Sequence, residues 1–222
     1  MQPTLNPRVK ICCMGSVAEA HLAIANGAAA VGLVSEMPSG PGVIAEDLIA
    51  EIAAKLPPAI GSFLLTCKTD PQAIIEQQRR LRVNTIQICD RLDLQNYETL
   101  RAALPGISLV QVVHVNDMAS VAEAISVASF VDAVLLDSGN QSLPVKELGG
   151  TGRTHDWNLS VQIREAIDVP LFLAGGLKAE NVAQAITQVR PFGIDVCSGV
   201  RTEGELDEVK LKSFFAAVRS VS

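Results

Sequence analysis

The chain has 222 residues, 48% of them hydrophobic and only 4% aromatic, with a formal net charge of −6. An acidic chain without a basic stripe argues against nucleic acid as a partner. No apolar run approaches the roughly 18 residues of a membrane span, and the opening MQPTLNPRVK lacks the apolar core of a signal peptide. The five cysteines (Cys12, Cys13, Cys67, Cys89 and Cys197) are odd in number and contain no C-x-x-C pair. That pattern points to reduced thiols in a cytoplasmic protein.

Short apolar runs alternate with amphipathic helical patterns along the whole chain. A strand over residues 9–13 leads to a helix over 16–26, with Gly27 as its stop. A second strand over 29–34 is followed by the loop SEMPSGPG and a helix over 45–56. Strands over 60–65, 85–89 and 109–113 precede helices over 71–81, 95–104 and 118–129. The sixth strand, 131–136, runs into a long polar loop before a helix over 159–167. A seventh unit pairs 170–174 with 179–189, and an eighth pairs 193–197 with 208–218. Strands alternating with helices imply parallel pairing through right-handed crossovers. Eight such units in this length fit a single-domain α/β fold, the (β/α)8 TIM barrel, over residues 1–222. The alternative, an open doubly wound sheet, is disfavoured because no G-x-G-x-x-G follows the first strand.

A barrel places its chemistry at the C-terminal ends of its strands. Those ends carry Cys12 and Cys13, the SGPG loop, Cys67, Cys89 and Asp90, His114, Asp137, Gly175–Gly176 and Ser198–Gly199. Asp137 closes an apolar strand and must be solvated, paired or functional. Cys12 is either a base or nucleophile, or a small buried hydrophobe. His114 reads best as a partly exposed residue at a strand end, and His21 and His155 receive no role. A metal site from Cys12, Cys89 and His114 has no supporting ligand spacing, so no metal is expected. The loops LAGGL (173–177) and DVCSGV (195–200) bring glycines to the ends of strands seven and eight. Barrels often bind phosphate there, where backbone amides converge. The competing reading is two tight turns.

Several stretches together resemble the phosphoribosylanthranilate isomerases, a family of ribulose-phosphate-binding barrels. They are VKIC (9–12), LLD (135–137), GGTGRTHDW (149–157), LAGGL, NVAQAI (181–186) and RPFGIDVCSGV (190–200). They follow the family's order from first strand to last. The resemblance implies an Amadori rearrangement of an aminoaldose phosphate to an aminoketose phosphate. It makes Cys12 the general base and Asp137 the general acid. It places the phosphorylated sugar against Gly150, Thr151, Gly152, Gly175, Gly176, Ser198 and Gly199. No cofactor is implied, because the protonated imine of the opened sugar is itself the electron sink.

The N-terminal half departs from the family pattern. Cys13 stands where the family usually has glycine, and Gly42 aligns with an arginine that faces the anthranilate carboxylate. Cys89 and Gln111 depart at strands four and five, and Arg201 stands where an acidic or small residue is commoner. Gly42, Cys89, Gln111, Arg153 and Arg201 are therefore the candidates for the aglycone end. The expected function is isomerisation of phosphoribosylanthranilate in tryptophan biosynthesis. The alternatives are a paralogue acting on another sugar phosphate and a non-catalytic phosphosugar-binding protein.

Overall fold

The computed structural model describes residues 4–221; Met1, Gln2 and Pro3, part of the N-terminal stretch read above, and Ser222 lie outside the described residues. Eight parallel strands pair in sequence order, and the eighth pairs with the first to close the barrel. The first half contains β1 (Arg8–Ile11), α1 (Val17–Ala25), β2 (Ala30–Val34), α2 (Glu46–Lys55), β3 (Gly61–Thr66), α3 (Pro71–Leu81), β4 (Thr85–Ile88) and α4 (Leu94–Ala103). The second contains β5 (Ser108–His114), α5 (Ala119–Ala128), β6 (Ala133–Asp137), α6 (Trp157–Ala166), β7 (Leu171–Leu173), α7 (Val182–Val189) and β8 (Gly193–Val196). A 3-10 turn at Ser198–Val200 and a small hairpin, β9 (Arg201–Thr202) and β10 (Glu205–Leu206), precede α8 (Glu208–Arg219). The hairpin is absent from the expectation, since two-residue strands leave no alternation to read.

Side-chain caps start several helices where the sequence places them. Ser16 accepts from the Glu19 amide, and Asp156 accepts from the Asn158 amide. Asp70 caps α3 ahead of Pro71, and Asp207 caps α8. Such caps satisfy amides that have no partner inside the helix, typically worth about 1 kcal/mol each. The seventh helix begins at Val182 rather than 179, because the Asn181 side chain folds back onto the Lys178 amide.

Two apolar layers follow from strand geometry. Successive side chains of a strand point to opposite faces. Ile11, Val31, Leu33, Leu64, Ile86, Val113, Val134 and Leu136 face the helices in the larger core. Ala30, Phe63, Leu65, Val110, Val112, Ala133, Leu135 and Phe172 fill the barrel interior. Phe172 packs edge-on between Phe63 and Phe192, with ring centroids 5.8 and 5.5 Å away. The same alternation sends Lys10 and Cys12 inward from β1, and Asp195 and Cys197 inward from β8. Asp137, in step with Ala133 and Leu135, turns into the barrel mouth. Among the described residues no helix is long and apolar enough to cross a membrane.

Candidate active site

The first and last strands build one wall. Lys10 and Asp195 are register partners across the β1–β8 seam. Their side chains form a buried ion pair, Nζ to Oδ2 2.9 Å. Burial opposes the charge on Lys10, but Asp195 and the neighbouring cysteine sulfurs outweigh it and hold its pKa above the ordinary ammonium value. The Lys10 ammonium also lies 5.3 Å from the Phe63 ring centroid, so it caps the aromatic layer below. Cys12 follows β1, with its amide donating to the Val196 carbonyl at 2.8 Å. Gly32 makes room for both groups. A Cβ there would stand 2.7 Å from the Cys12 Sγ and 3.0 Å from the Lys10 Nζ.

The thiols at this mouth divide by environment. A hydrogen bond from Cys13 lowers the Cys12 pKa; burial opposes this, and the Lys10 charge adds to the lowering. Cys13 goes the other way, held protonated by its contacts with Cys12 and Cys197 and by burial. Burial pushes the Cys89 thiol up as well. Only a thiolate is an effective base or nucleophile, so environment singles out Cys12 over Cys13 and Cys89.

The opposite wall carries Asp137. Burial raises its pKa, against the Ser138 amide, which donates to Oδ1 at 2.7 Å, and against His114. A carboxyl shifted toward its neutral form in this way is suited to act as an acid. Gly149 and Gly175 leave space around it: a Cβ would stand 2.8 Å from Oδ2 at the first and 3.3 Å from Oδ1 at the second. Ser138 also shares a 2.7 Å hydrogen bond with Thr151, tying the start of the β6–α6 loop to its glycine run.

That loop and the β2–α2 loop meet over the mouth. The Ser39 hydroxyl donates to the Lys146 carbonyl at 2.7 Å, and Gly150 abuts Pro41. Lys146 pairs with Asp90 at 2.6 Å. Gly175 and Gly176 adopt φ of +83° and +61°, a region that favours glycine. A Cβ on Gly176 would stand 2.7 Å from the Arg153 carbonyl carbon, so this turn fits under the β6–α6 loop. The result is a cleft lined by Cys12, Cys89, Asp137, Gly150, Thr151, Gly152, Gly175, Gly176, Asp195 and Ser198, with Met37, Pro41 and Leu148 at its apolar end. Among the described residues, no group of three or more His, Cys, Asp or Glu side chains is placed to hold a metal ion.

Several expected site residues lie elsewhere. Gln111 faces the helices, where it accepts from the Tyr97 hydroxyl and donates to the Asp90 carbonyl at 3.0 Å. Strand alternation gives the inward positions of β5 to Val110, Val112 and His114. Gly42 does not line the cleft. It has φ +78°, and a Cβ would fall within 3.0 Å of the Cys13 Cα and Sγ, so no arginine can stand there without displacing the Cys13 turn. Gly199 packs against the Leu177 carbonyl and lies outside the cleft. Arg153 pairs with Glu147 and is largely exposed. Arg201 is half-buried against Glu19, at 2.9 Å, and donates to the Cys13 carbonyl. His114 is buried rather than partly exposed, with Nε2 3.1 Å from the Cys89 carbonyl. Nε2 therefore carries the proton, and the buried Nδ1 has no partner among the described residues. His155 bonds Ser160 at 2.8 Å, and burial pushes its pKa down to about 4.

Lys10 and Asp195 are site residues that motif reading did not single out. Their signal is a charge of each sign inside an otherwise apolar strand, in RVKIC and GIDVC.

A family model described as N-(5'phosphoribosyl)anthranilate (PRA) isomerase matches residues 9–217. The N-(5'-phosphoribosyl)anthranilate isomerase of Methanosarcina acetivorans is 35% identical over 228 residues, spanning 97% of this chain and 94% of that protein. The protein of the same name from Methanocella arvoryzae is 32% identical over 213 residues, spanning 96% and 98%. The solved structure of phosphoribosyl anthranilate isomerase from Thermotoga maritima superposes with a TM-score of 0.83 at 28% identity, covering 96% of this chain and 99% of that one. A phosphoribosyl anthranilate isomerase in complex with reduced 1-(o-carboxyphenylamino)-1-deoxyribulose 5-phosphate superposes with a TM-score of 0.80 at 27% identity, covering 96% and 99%.

The Arg201–Glu19 pair anchors the turn that follows Cys12. Glu19 also accepts from the Gly15 amide at 2.8 Å and the Leu206 amide at 2.7 Å. Burial opposes its charge, but Arg201 and these amides keep its pKa below the ordinary 4.5. A depressed carboxylate pKa contributes stability that is present above the unfolded value and lost as pH falls through the folded one. Arg201→Met should cost about 1–3 kcal/mol at neutral pH, between the values of an exposed and a buried pair. Urea denaturation measures it. A loss below about 1 kcal/mol, the value of an exposed pair, would contradict the anchoring role.

Proposed function

The chain belongs to the N-(5'-phosphoribosyl)anthranilate isomerase family, and from that premise we propose that Cys12 and Asp137 are the base and the acid of its reaction. The enzyme isomerises an aminoaldose phosphate, N-(5'-phosphoribosyl)anthranilate, to the corresponding aminoketose phosphate in tryptophan biosynthesis. The observation that supports the assignment is that one cleft holds a thiol shifted toward its anion and a carboxyl shifted toward its neutral form.

Asp137 protonates the furanose ring oxygen, and the ring opens to a protonated imine. The Cys12 thiolate removes the proton from C2 of the sugar, and the electron pair moves into the imine to give an enolamine. Tautomerisation of the enolamine yields the ketone. Turnover needs the Cys12 thiolate and the Asp137 acid at the same moment. Lowering one pKa and raising the other brings these two forms into overlap.

The phosphate end of the substrate lies among Gly152, Gly175, Gly176 and Ser198. Two observations support this reading: these residues share the cleft, and the glycines have positive φ. The anthranilate ring lies at the apolar end, against Met37, Pro41 and Leu148. Gly42 and Gln111 play no direct part there. Cys89, a buried thiol held protonated, forms part of the wall.

Cys12→Ala and Asp137→Asn should each lower kcat at least about 100-fold, the usual cost of losing an acid or base, with the circular dichroism spectrum unchanged. Near-wild-type kcat in a folded variant would overturn that residue's role. In crystals grown with sulfate, the anion should bind among Gly152, Gly176 and Ser198. Sulfate found only elsewhere, with these amides bonded within the protein, would overturn the phosphate assignment.

A further inference from the structure

Cys13 and Cys197 come from opposite ends of the chain, 184 residues apart, and their sulfurs are 2.7 Å apart. That separation is well inside ordinary non-bonded contact between two sulfurs. Strand register explains the meeting: Ile11 is paired with Val196, and the Cys12 amide still donates to the Val196 carbonyl. The chains therefore leave β1 and β8 side by side, at the spacing of about 4.8 Å between neighbouring strands. Continuing the register puts Cys197 opposite Cys12 with Cys13 one residue further along, and disulfides span Cα separations of about 4.4–6.8 Å.

Cys13 holds its place at a cost. Its φ is +64°, a conformation that glycine adopts freely and a side-chain-bearing residue adopts rarely. Gly42 is packed against its Cα and Sγ, which keeps the thiol directed toward Cys197. Cys197 lines the cleft and is only partly buried, so a small molecule in the cleft can reach it. The acid–base pair proposed above uses neither thiol.

We propose that Cys13 and Cys197 form a reversible thiol–disulfide site that reacts with low-molecular-weight disulfides entering the cleft. The Cys197 thiolate attacks one sulfur of the reagent and displaces one small thiolate. Cys13, losing its proton to the departing small thiolate as the bond forms, then attacks the Cys197 sulfur of the mixed disulfide and displaces the second. One sulfur–sulfur bond breaks and one forms. Two electrons pass from the protein to the reagent, and two protons leave the protein thiols with the small thiols released. A dithiol reverses both steps.

Closing this bond takes the proton from the Cys13 sulfur, the neighbour that lowers the Cys12 pKa. Cys12 then loses a donor to its thiolate, and turnover at neutral pH should fall about tenfold or more, the value of one hydrogen bond to a charged group. This effect on rate rests on the proposed role of Cys12; the cross-link itself does not.

The test incubates the reduced, folded protein with glutathione disulfide. Accessible thiols are counted after denaturation, and the peptides are mapped by mass spectrometry. The expected result is a fall from five free thiols to three, with one peptide joining the Cys12–Cys13 segment to Cys197. Cys12→Ala should still form the cross-link, and Cys13→Gly, whose glycine suits the backbone at that position, should not. The ratio of oxidised to reduced turnover should be about one-tenth in wild type and return to unity in Cys13→Gly. Five thiols surviving, or a cross-link that persists in Cys13→Gly, would overturn the site. A cross-link that leaves turnover unchanged would overturn only its effect on Cys12.

Discussion

The buried pair between Lys10 and Asp195 is the contact on which the site depends. It lies at the seam where the first strand meets the last, so it also marks the closure of the barrel. Two charges inside an aromatic-lined interior are costly to desolvate, and each is tolerable only because the other is there. Removing one partner would strand a buried charge, typically a loss of about 3–5 kcal/mol. An apolar pair would fill the same space with less electrostatic expense. The ion pair gives the barrel something an apolar pair cannot: a fixed positive charge beside the Cys12 sulfur.

The rest of the mouth is arranged around that charge. Gly32 leaves the volume that Lys10 and Cys12 share. On the far wall Asp137 sits where burial favours its neutral form, with Gly149 and Gly175 giving its carboxyl room. The β6–α6 loop reaches across to the β2–α2 loop through Ser39 and Lys146. A base poised toward its anion and an acid poised toward its neutral form thus line one cleft.

Much of this was legible in the sequence, and the failures share a physical cause. Eight alternating units, with Cys12 and Asp137 at strand ends, follow from local patterning. Parallel strands buried on both faces read as continuous apolar runs, which hide the inward and outward parity. That is why Gln111, in the run SLVQVVH, was placed at the site although it faces the helices. Asp137 escaped the ambiguity because a charge can end such a strand only where the barrel opens. Gly42 and Arg201 were misplaced because alignment to a family pattern carries no information about packing. Gly42 is pressed against Cys13, and Arg201 found Glu19, 182 positions away. The Lys10–Asp195 pair had a visible signal in each strand, but their meeting depends on ring closure, which no local window contains.

The central claim is that Cys13 and Lys10 shift Cys12 toward its thiolate, while Asp195, whose own charge opposes that shift, holds Lys10 in place. The direct measurement is the pH dependence of Cys12 alkylation by iodoacetamide, followed on the Cys12 peptide by mass spectrometry in wild type and in Lys10→Met. The expected result is a wild-type midpoint below the ordinary thiol value of 9.0 and a higher midpoint in the variant. A wild-type midpoint at or above that value, unchanged when Lys10 is replaced, would contradict it.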